Sequence, residues 1–186
     1  MKNKKLIALG VLAVTFSTTV LAAGDSEIKN SIAINQLTLA SAIQAAQVSI
    51  STCRKNGYQV SASVVDHYGQ VQAVLRDTSA SVISVELSRK KASTAVQFRK
   101  NTTQLADLSD TAVGRSDGIL MAAGGVLIKV DDVIYGAVGV SGSFGGSTDD
   151  KCATAGAETI MEALINDKVK AENIEADVTA TTEEKK

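Results

Sequence analysis

Residues 122–142 read AAGGVLIKVDDVIYGAVGVSG, with five glycines and two short apolar runs around the pair Asp131-Asp132. Glycine at this density has two physical meanings. It forms a loop whose amides cradle phosphate, or it marks a backbone that is tightly folded or closely approached. A phosphate loop follows a strand and opens directly into a helix, most often as GxxxxGK followed by Ser or Thr. Here Gly124-Gly125 leads into Val126–Val130, then a two-Asp turn, then Val133–Val140, so the glycines belong to a β-hairpin. Gly136 and Gly139 fall inside the second strand, where glycine signals a bulge or the close approach of another backbone or a ligand. The phosphate reading fails. A glycine-lined sheet floor, over which something small can sit, survives.

The flanking sequence supplies the rest of the fold. Leu37-Thr38-Leu39 opens a helix with Thr38 as its N-cap, and Leu39, Ile43, Ala46, Ile50 and Cys53 recur at helical spacing as one apolar stripe. Asn56-Gly57 ends that helix, with Gly57 suited to a left-handed conformation. Val60, Ala62 and Val64, then Val71, Ala73 and Leu75, alternate on either side of His67-Tyr68-Gly69, which predicts a second hairpin. A helix over Ser81–Phe98 and a polar connection precede the quoted stretch. After it, Ser147 and Asp150 have capping-box spacing, and Ala153, Ala157, Ile160 and Leu164 form a last buried stripe. The order α-β-β-α-β-β-α predicts an α+β fold, a mainly antiparallel sheet flanked by helices, as a single compact domain over residues 31–167. The chain has no Trp and no Pro, so small side chains must build its core.

The two ends read differently. Lys2, Lys4 and Lys5 precede a nearly continuous apolar run to Leu21, and Val20-Leu21-Ala22 offers small residues at the positions a cleavage site needs. This is the layout of a secretory signal peptide over residues 1–22. The run is about 16 residues against the roughly 20 that span a bilayer, so no permanent membrane anchor is expected. Cleavage removes three of the 19 basic residues, leaving 16 against 20 acidic ones, a net charge of −4. That argues against a nucleic-acid binder, which normally shows a strongly basic patch. Residues 168–186 are charged and poor in large apolar side chains, and are expected to form a polar, disordered tail. The expected location is periplasmic or secreted.

Six segments in order, LTLASAIQAA, SVVDHYGQVQAVLR, KKASTA, GGVLI, GAVGVSG and DDKCATAG, resemble the GlcG/HbpS family of small haem-binding and haem-degrading proteins, and the related C-terminal domain of PduO-type proteins. The resemblance runs from about Leu37 to Leu164. The chain departs from the family pattern at the His67-Tyr68-Gly69 turn and at Leu127, where relatives often carry proline. The resemblance implies a homo-oligomer, dimer or higher, that binds haem or a related tetrapyrrole. Iron binding by surface carboxylates, corrinoid binding and a role beside glycolate oxidation are also known in the family. Kinship of fold does not choose among them; export favours haem or iron handling or sensing. Two other classes remain open. One is an oligomeric structural or sensory protein read by a sensor or transport partner. The other is an accessory protein or enzyme acting on a small organic acid held over Gly124-Gly125 by Lys91.

Candidate site residues follow from that frame. His67 is the only histidine and the candidate axial ligand of haem iron; a tight turn also accepts a histidine without function. Tyr68, Tyr135, Met121 and Met161 are further iron-reaching candidates, the methionines reading equally as core filler. Lys91 and Thr94, in the family's KAxTA segment, are expected to meet a propionate or small carboxylate, with Gly124, Gly125 and Ser141 beside them. Lys90-Lys91 reads alternatively as a solvated helix face. Arg76 is expected to pair with the same anion or with Asp77. Asp131-Asp132 and Asp149-Asp150 suit hard cations or ordinary turn and cap chemistry.

Cys53 and Cys152 are the only cysteines. In an exported chain an even count suggests a disulfide, and the two lie at helix ends that become neighbours if those helices pack antiparallel. The other reading makes both small buried hydrophobes.

Overall fold

The Ser41 amide donates to Thr38 Oγ1 at 3.1 Å, and the helix α1 that this cap begins runs Leu39–Lys55. The computed structural model describes residues 34–183; the expected signal peptide lies outside them. After α1 come strands β1 (Ser61–Asp66) and β2 (Val71–Arg76), helix α2 (Ile83–Phe98) and a 3-10 segment (Thr102–Leu108). Strands β3 (Gly125–Val130) and β4 (Val133–Ser141) and helix α3 (Gly146–Glu183) complete the domain. The four strands form one antiparallel sheet in the order β2-β1-β4-β3. This is the α+β domain the sequence predicts, with the same element order.

The two faces of the sheet are built differently. On one, α1 and α3 bury Ala42, Ala46, Ile50, Ala153, Ala157 and Ile160 against alternate strand residues such as Val64, Ile128 and Val138. On the other, α2 alone packs Ala92, Ala95 and Val96 against Val65, Leu127 and Ala137. Buried hydroxyl pairs, Ser61 with Ser84 at 2.7 Å and Ser63 with Ser88 at 2.8 Å, continue that second contact. Serine fits there because each hydroxyl has a partner, so its burial leaves no orphaned polar group.

Glycine decides how close the layers come. A Cβ on Gly139 would overlap the Ser88 carbonyl oxygen, and one on Gly125 would overlap the Lys91 carbonyl oxygen. Both clashes are with the backbone of α2. The glycine floor therefore has an occupant, helix α2 itself, rather than room for a ligand at these two positions. Gly156 does the same between α3 and α1, where a Cβ would overlap Ser49 Oγ and the Ala45 carbonyl oxygen. That closeness joins Cys53 to Cys152 in a disulfide, with Cα atoms 5.6 Å apart across 99 residues of sequence.

Three local expectations change. Leu39 is 60 % exposed rather than part of the buried stripe, because a helical side chain covers the turn N-terminal to its own Cα, and at the first position of a helix no such turn exists. Ser147 and Asp150 do not form a capping box: α3 begins at Gly146, and the first-turn carboxylates of Asp149 and Asp150 accept from the Ser143 and Gly124 amides instead. The stretch from 168 on, expected as a disordered tail, continues α3 to Glu183. Its Ala, Glu and Lys residues are strong helix formers, and they extend a helix already nucleated by the packed part. Residues 168–175 are all exposed. Among the described residues no helix is long and apolar enough to cross a membrane.

Two outcomes test these contacts. Unfolded, unreduced protein should show no free thiol, and replacing both cysteines with alanine should lower stability by about 2–5 kcal/mol in denaturant titrations. Gly139→Ala, which drives a methyl into the α2 backbone, should cost about 3 kcal/mol or more by the same measurement.

Candidate functional site

The strand glycines bring α2 low enough that Lys91 points inward between β4 and the start of α3. The side chain is only 5 % exposed. Its ammonium donates to the Val140 carbonyl oxygen at 3.0 Å and to Asp149 Oδ2 at 2.8 Å. Gly124, with φ of +119°, holds the backbone out of the way: a Cβ there would lie 3.0 Å from Lys91 Nζ and 2.7 Å from the Val140 oxygen. Asp149 spends its other oxygen on the Ser143 amide at 3.0 Å, tying the Gly142–Gly145 loop to the same point. Asp150 accepts from the Gly124 amide at 3.2 Å. Burial pushes the Asp150 carboxyl above the usual carboxylate range, against the opposing pull of the Gly124 amide and the Lys91 charge.

Beside this cluster lies a cleft of about 410 Å³ between α2 and the loop leading into α3. Lys91, Asp149 and Ser141 line it together with Ser84, Leu87 and Leu120. The structure thus brings Lys91, Ser141 and Gly124 together. Lys91 is neither a solvated helix residue nor a free charge; its positive charge is balanced internally by Asp149. Thr94 is fully buried and accepts from the Leu120 amide at 2.9 Å, so it fixes the connection ahead of β3. Gly125 is covered by α2 and by Thr102, whose hydroxyl accepts the Gly125 amide at 2.8 Å.

Arg76 lies apart from this group. It is exposed, donates to the Ala80 carbonyl oxygen, and lines a separate cleft of about 430 Å³ with Arg54 and Gln47. Asp77, an expected alternative partner, is taken by Arg54 through two hydrogen bonds of 2.6 and 2.7 Å, and that guanidinium holds the Asp77 carboxyl below the usual range. Asp131 pairs with Lys168 and Asp132 with Lys129. Met121 is buried, and Met161 and Tyr135 are half-buried against the core between α1, α3 and the sheet.

His67 occupies the β1–β2 turn, where Asp66 Oδ1 accepts the Tyr68 and Gln70 amides at 2.8 and 2.9 Å. Both imidazole nitrogens are shielded from solvent and neither has a hydrogen-bond partner. The exposed Tyr68 ring lies over it, centroid to centroid 3.9 Å. A shielded nitrogen without a partner is costly, which sets this ring apart from an ordinary surface-turn histidine.

Sequence reasoning missed Asp149 as the partner of Lys91, 58 residues away, because it offered only cap and cation readings for that carboxylate. The pairing revises what a substitution should do. Lys91→Met or Asp149→Leu alone strands a buried charge and should cost about 3–5 kcal/mol. The double variant should recover most of that loss in denaturant titrations; additive losses would show that the two groups are not coupled.

A family model described as "Haem degrading protein HbpS-like" matches residues 37–158. Protein GlcG of Escherichia coli K12 is 34 % identical over 91 residues, which span 47 % of this chain and 68 % of GlcG. The crystal structure of a Streptomyces reticuli HbpS double mutant superposes with a TM-score of 0.64 at 29 % identity, covering 83 % of this chain and 98 % of that one. The crystal structure of a PduOC:heme complex shares the fold, with a TM-score of 0.61 at 23 % identity over 66 % of this chain and 94 % of that one. The family model matches well over half of the chain, and the chain belongs to the HbpS-like family.

Proposed function

We propose that this chain is an exported haem-binding protein that handles or senses haem and iron, working as a homo-oligomer. One observation carries the reading: the family match spans nearly the whole packed domain, and a relative of the same fold was crystallised with haem. The Cys53–Cys152 disulfide suits an oxidising compartment, in keeping with the signal-peptide layout of residues 1–22.

The described residues fit the group. Imidazole is the commonest protein ligand of haem iron, and His67 has two ring nitrogens committed to no hydrogen bond. The Tyr68 ring over His67 must swing aside for a ligand as large as haem, and as an exposed turn residue it has the freedom to do so. Lys91 is unsuited to a haem propionate, since its charge is buried and already paired with Asp149. Bound haem would supply an iron centre; the chain's part is to hold it and to keep His67 oriented through the Asp66 turn.

Titrating the protein with haemin at micromolar concentration should give a saturable Soret shift, and its absence would sink the reading. His67→Ala should abolish or displace that Soret band while leaving the far-ultraviolet circular dichroism unchanged. An unaltered band in this variant would remove His67 as the ligand without touching the haem reading itself.

A further inference from the structure

One end of the molecule carries exposed apolar side chains that haem binding at the β1–β2 turn does not explain. The Gly142–Gly145 loop holds Phe144 92 % exposed, and at the start of α2 Val82 is 79 % and Ile83 58 % exposed. The two stretches adjoin: a Cβ on Gly142 would lie 3.5 Å from Ser84 Cβ. The loop is tied in place. The Ser143 amide donates to Asp149 Oδ1 and the Ser143 hydroxyl to the Gly145 carbonyl oxygen, both at 3.0 Å. Gly142 and Gly145 have φ of +126° and +105°, a backbone that only glycine adopts without strain. Phe144 is thus held outward by a shaped loop, and contiguous apolar exposure of this kind marks a surface that meets an apolar neighbour.

The same end has an excess of cations. Ser61 pairs with Arg76 on one side and with Ser141 on the other, and Cys53 is bonded to Cys152. These contacts gather the ends of α1, β2 and β4 and the starts of α2 and α3. The carboxylates Asp77, Glu86 and Asp149 on these element ends are matched by Arg54, Lys90 and Lys91. Lys55, Arg76 and Lys151 are exposed and have no carboxylate partner among the described residues, against the one remaining carboxylate, half-buried Asp150.

We propose that this end docks reversibly on an anionic lipid bilayer, with Phe144, Val82 and Ile83 entering the interface and Lys55, Arg76 and Lys151 meeting the headgroup phosphates. Apolar side chains that reach the acyl boundary, with cations around them for the anionic lipids, are what such binding requires. Charge selects the bilayer as the occupant. The whole chain is net negative, at −1, so a local cationic excess around an apolar tip turns this end, and no other, toward an anionic plane. His67 lies at the opposite end of the sheet, where Asp66 pairs with Gly136. A docked chain therefore keeps the β1–β2 turn facing away from the membrane.

The test uses haem-free chain from Ala23 onward, which contains every described residue and lacks the apolar run to Leu21 that would itself enter lipid. Haem plays no part in it, so its outcome is separate from that of the haemin titration. The chain has no Trp, so Phe144→Trp puts a single fluorescent reporter at the tip. With vesicles of phosphatidylglycerol and phosphatidylcholine in equal parts, its emission should shift to the blue and saturate. With phosphatidylcholine alone it should not. Salt on the order of 1 M, where the Debye length is about 3 Å, should weaken the response. In vesicle co-sedimentation, Phe144→Ser should lower the bound partition at least about tenfold. Lys55→Gln and Lys151→Gln should each lower it about fivefold, and Lys170→Gln, on the distal part of α3, should change nothing. All four side chains are exposed, so circular dichroism should match the parent. The proposal is overturned if no saturable blue shift appears, if vesicles without anionic lipid bind as well, or if Lys170→Gln loses as much as Lys151→Gln. It is equally overturned if Phe144→Ser keeps its partition while its assembly mass in solution falls, which makes the tip a contact between copies.

Discussion

Helix α2 lies backbone against backbone on the hairpin of β3 and β4, and the rest of the molecule follows from that contact. It exists only because Gly125 and Gly139 present no side chain where the Lys91 and Ser88 carbonyl oxygens sit. Lowering the helix this far puts the Lys91 ammonium within reach of the Val140 carbonyl oxygen, so the charge is desolvated and must be matched. Asp149 at the start of α3 matches it. A packing constraint on one face of the sheet thereby sets where a helix on the other face begins.

The opposite face is held by a different device. Alanine-rich stripes of α1 and α3 bury little area each, and Gly156 lets the two helices approach until Cys53 and Cys152 bond. Apolar burial yields roughly 25 cal/mol per Å², so a core of Ala, Val and Ser gains less per residue than one of Leu and Phe. A covalent link across 99 residues offsets part of that by restricting the unfolded chain. The disulfide and the Lys91–Asp149 pair both anchor the first turns of α3, through Cys152 and Asp149. Farther along α3, Lys168 pairs with Asp131, and residues 168–175 are exposed.

The two candidate sites differ in kind. His67 sits in a turn that a single Asx interaction shapes and that Gln97 ties to α2 through the Tyr68 carbonyl oxygen. The Lys91 cleft is rigid by construction, since its charges, amides and backbone are tied to three elements at once.

Much of the fold was legible in the sequence because it is local. Period-two alternation around His67-Tyr68-Gly69 and around Asp131-Asp132 places both hairpins, Thr38 and Gly57 bound the first helix, and the apolar stripe of α3 identifies its packed part. The family resemblance, carried by six ordered segments, is equally a property of the chain alone. The site was legible only in pieces. Lys91, Ser141 and Gly124 could be named, but not that Asp149 neutralises the lysine, that α2 itself occupies the glycine floor, or that Arg76 lines a different cleft. Periodicity says which face of an element is apolar; it does not say which faces meet or how closely. The partner of a buried charge and the shielding of an imidazole depend on that meeting, so only the tertiary structure decided them.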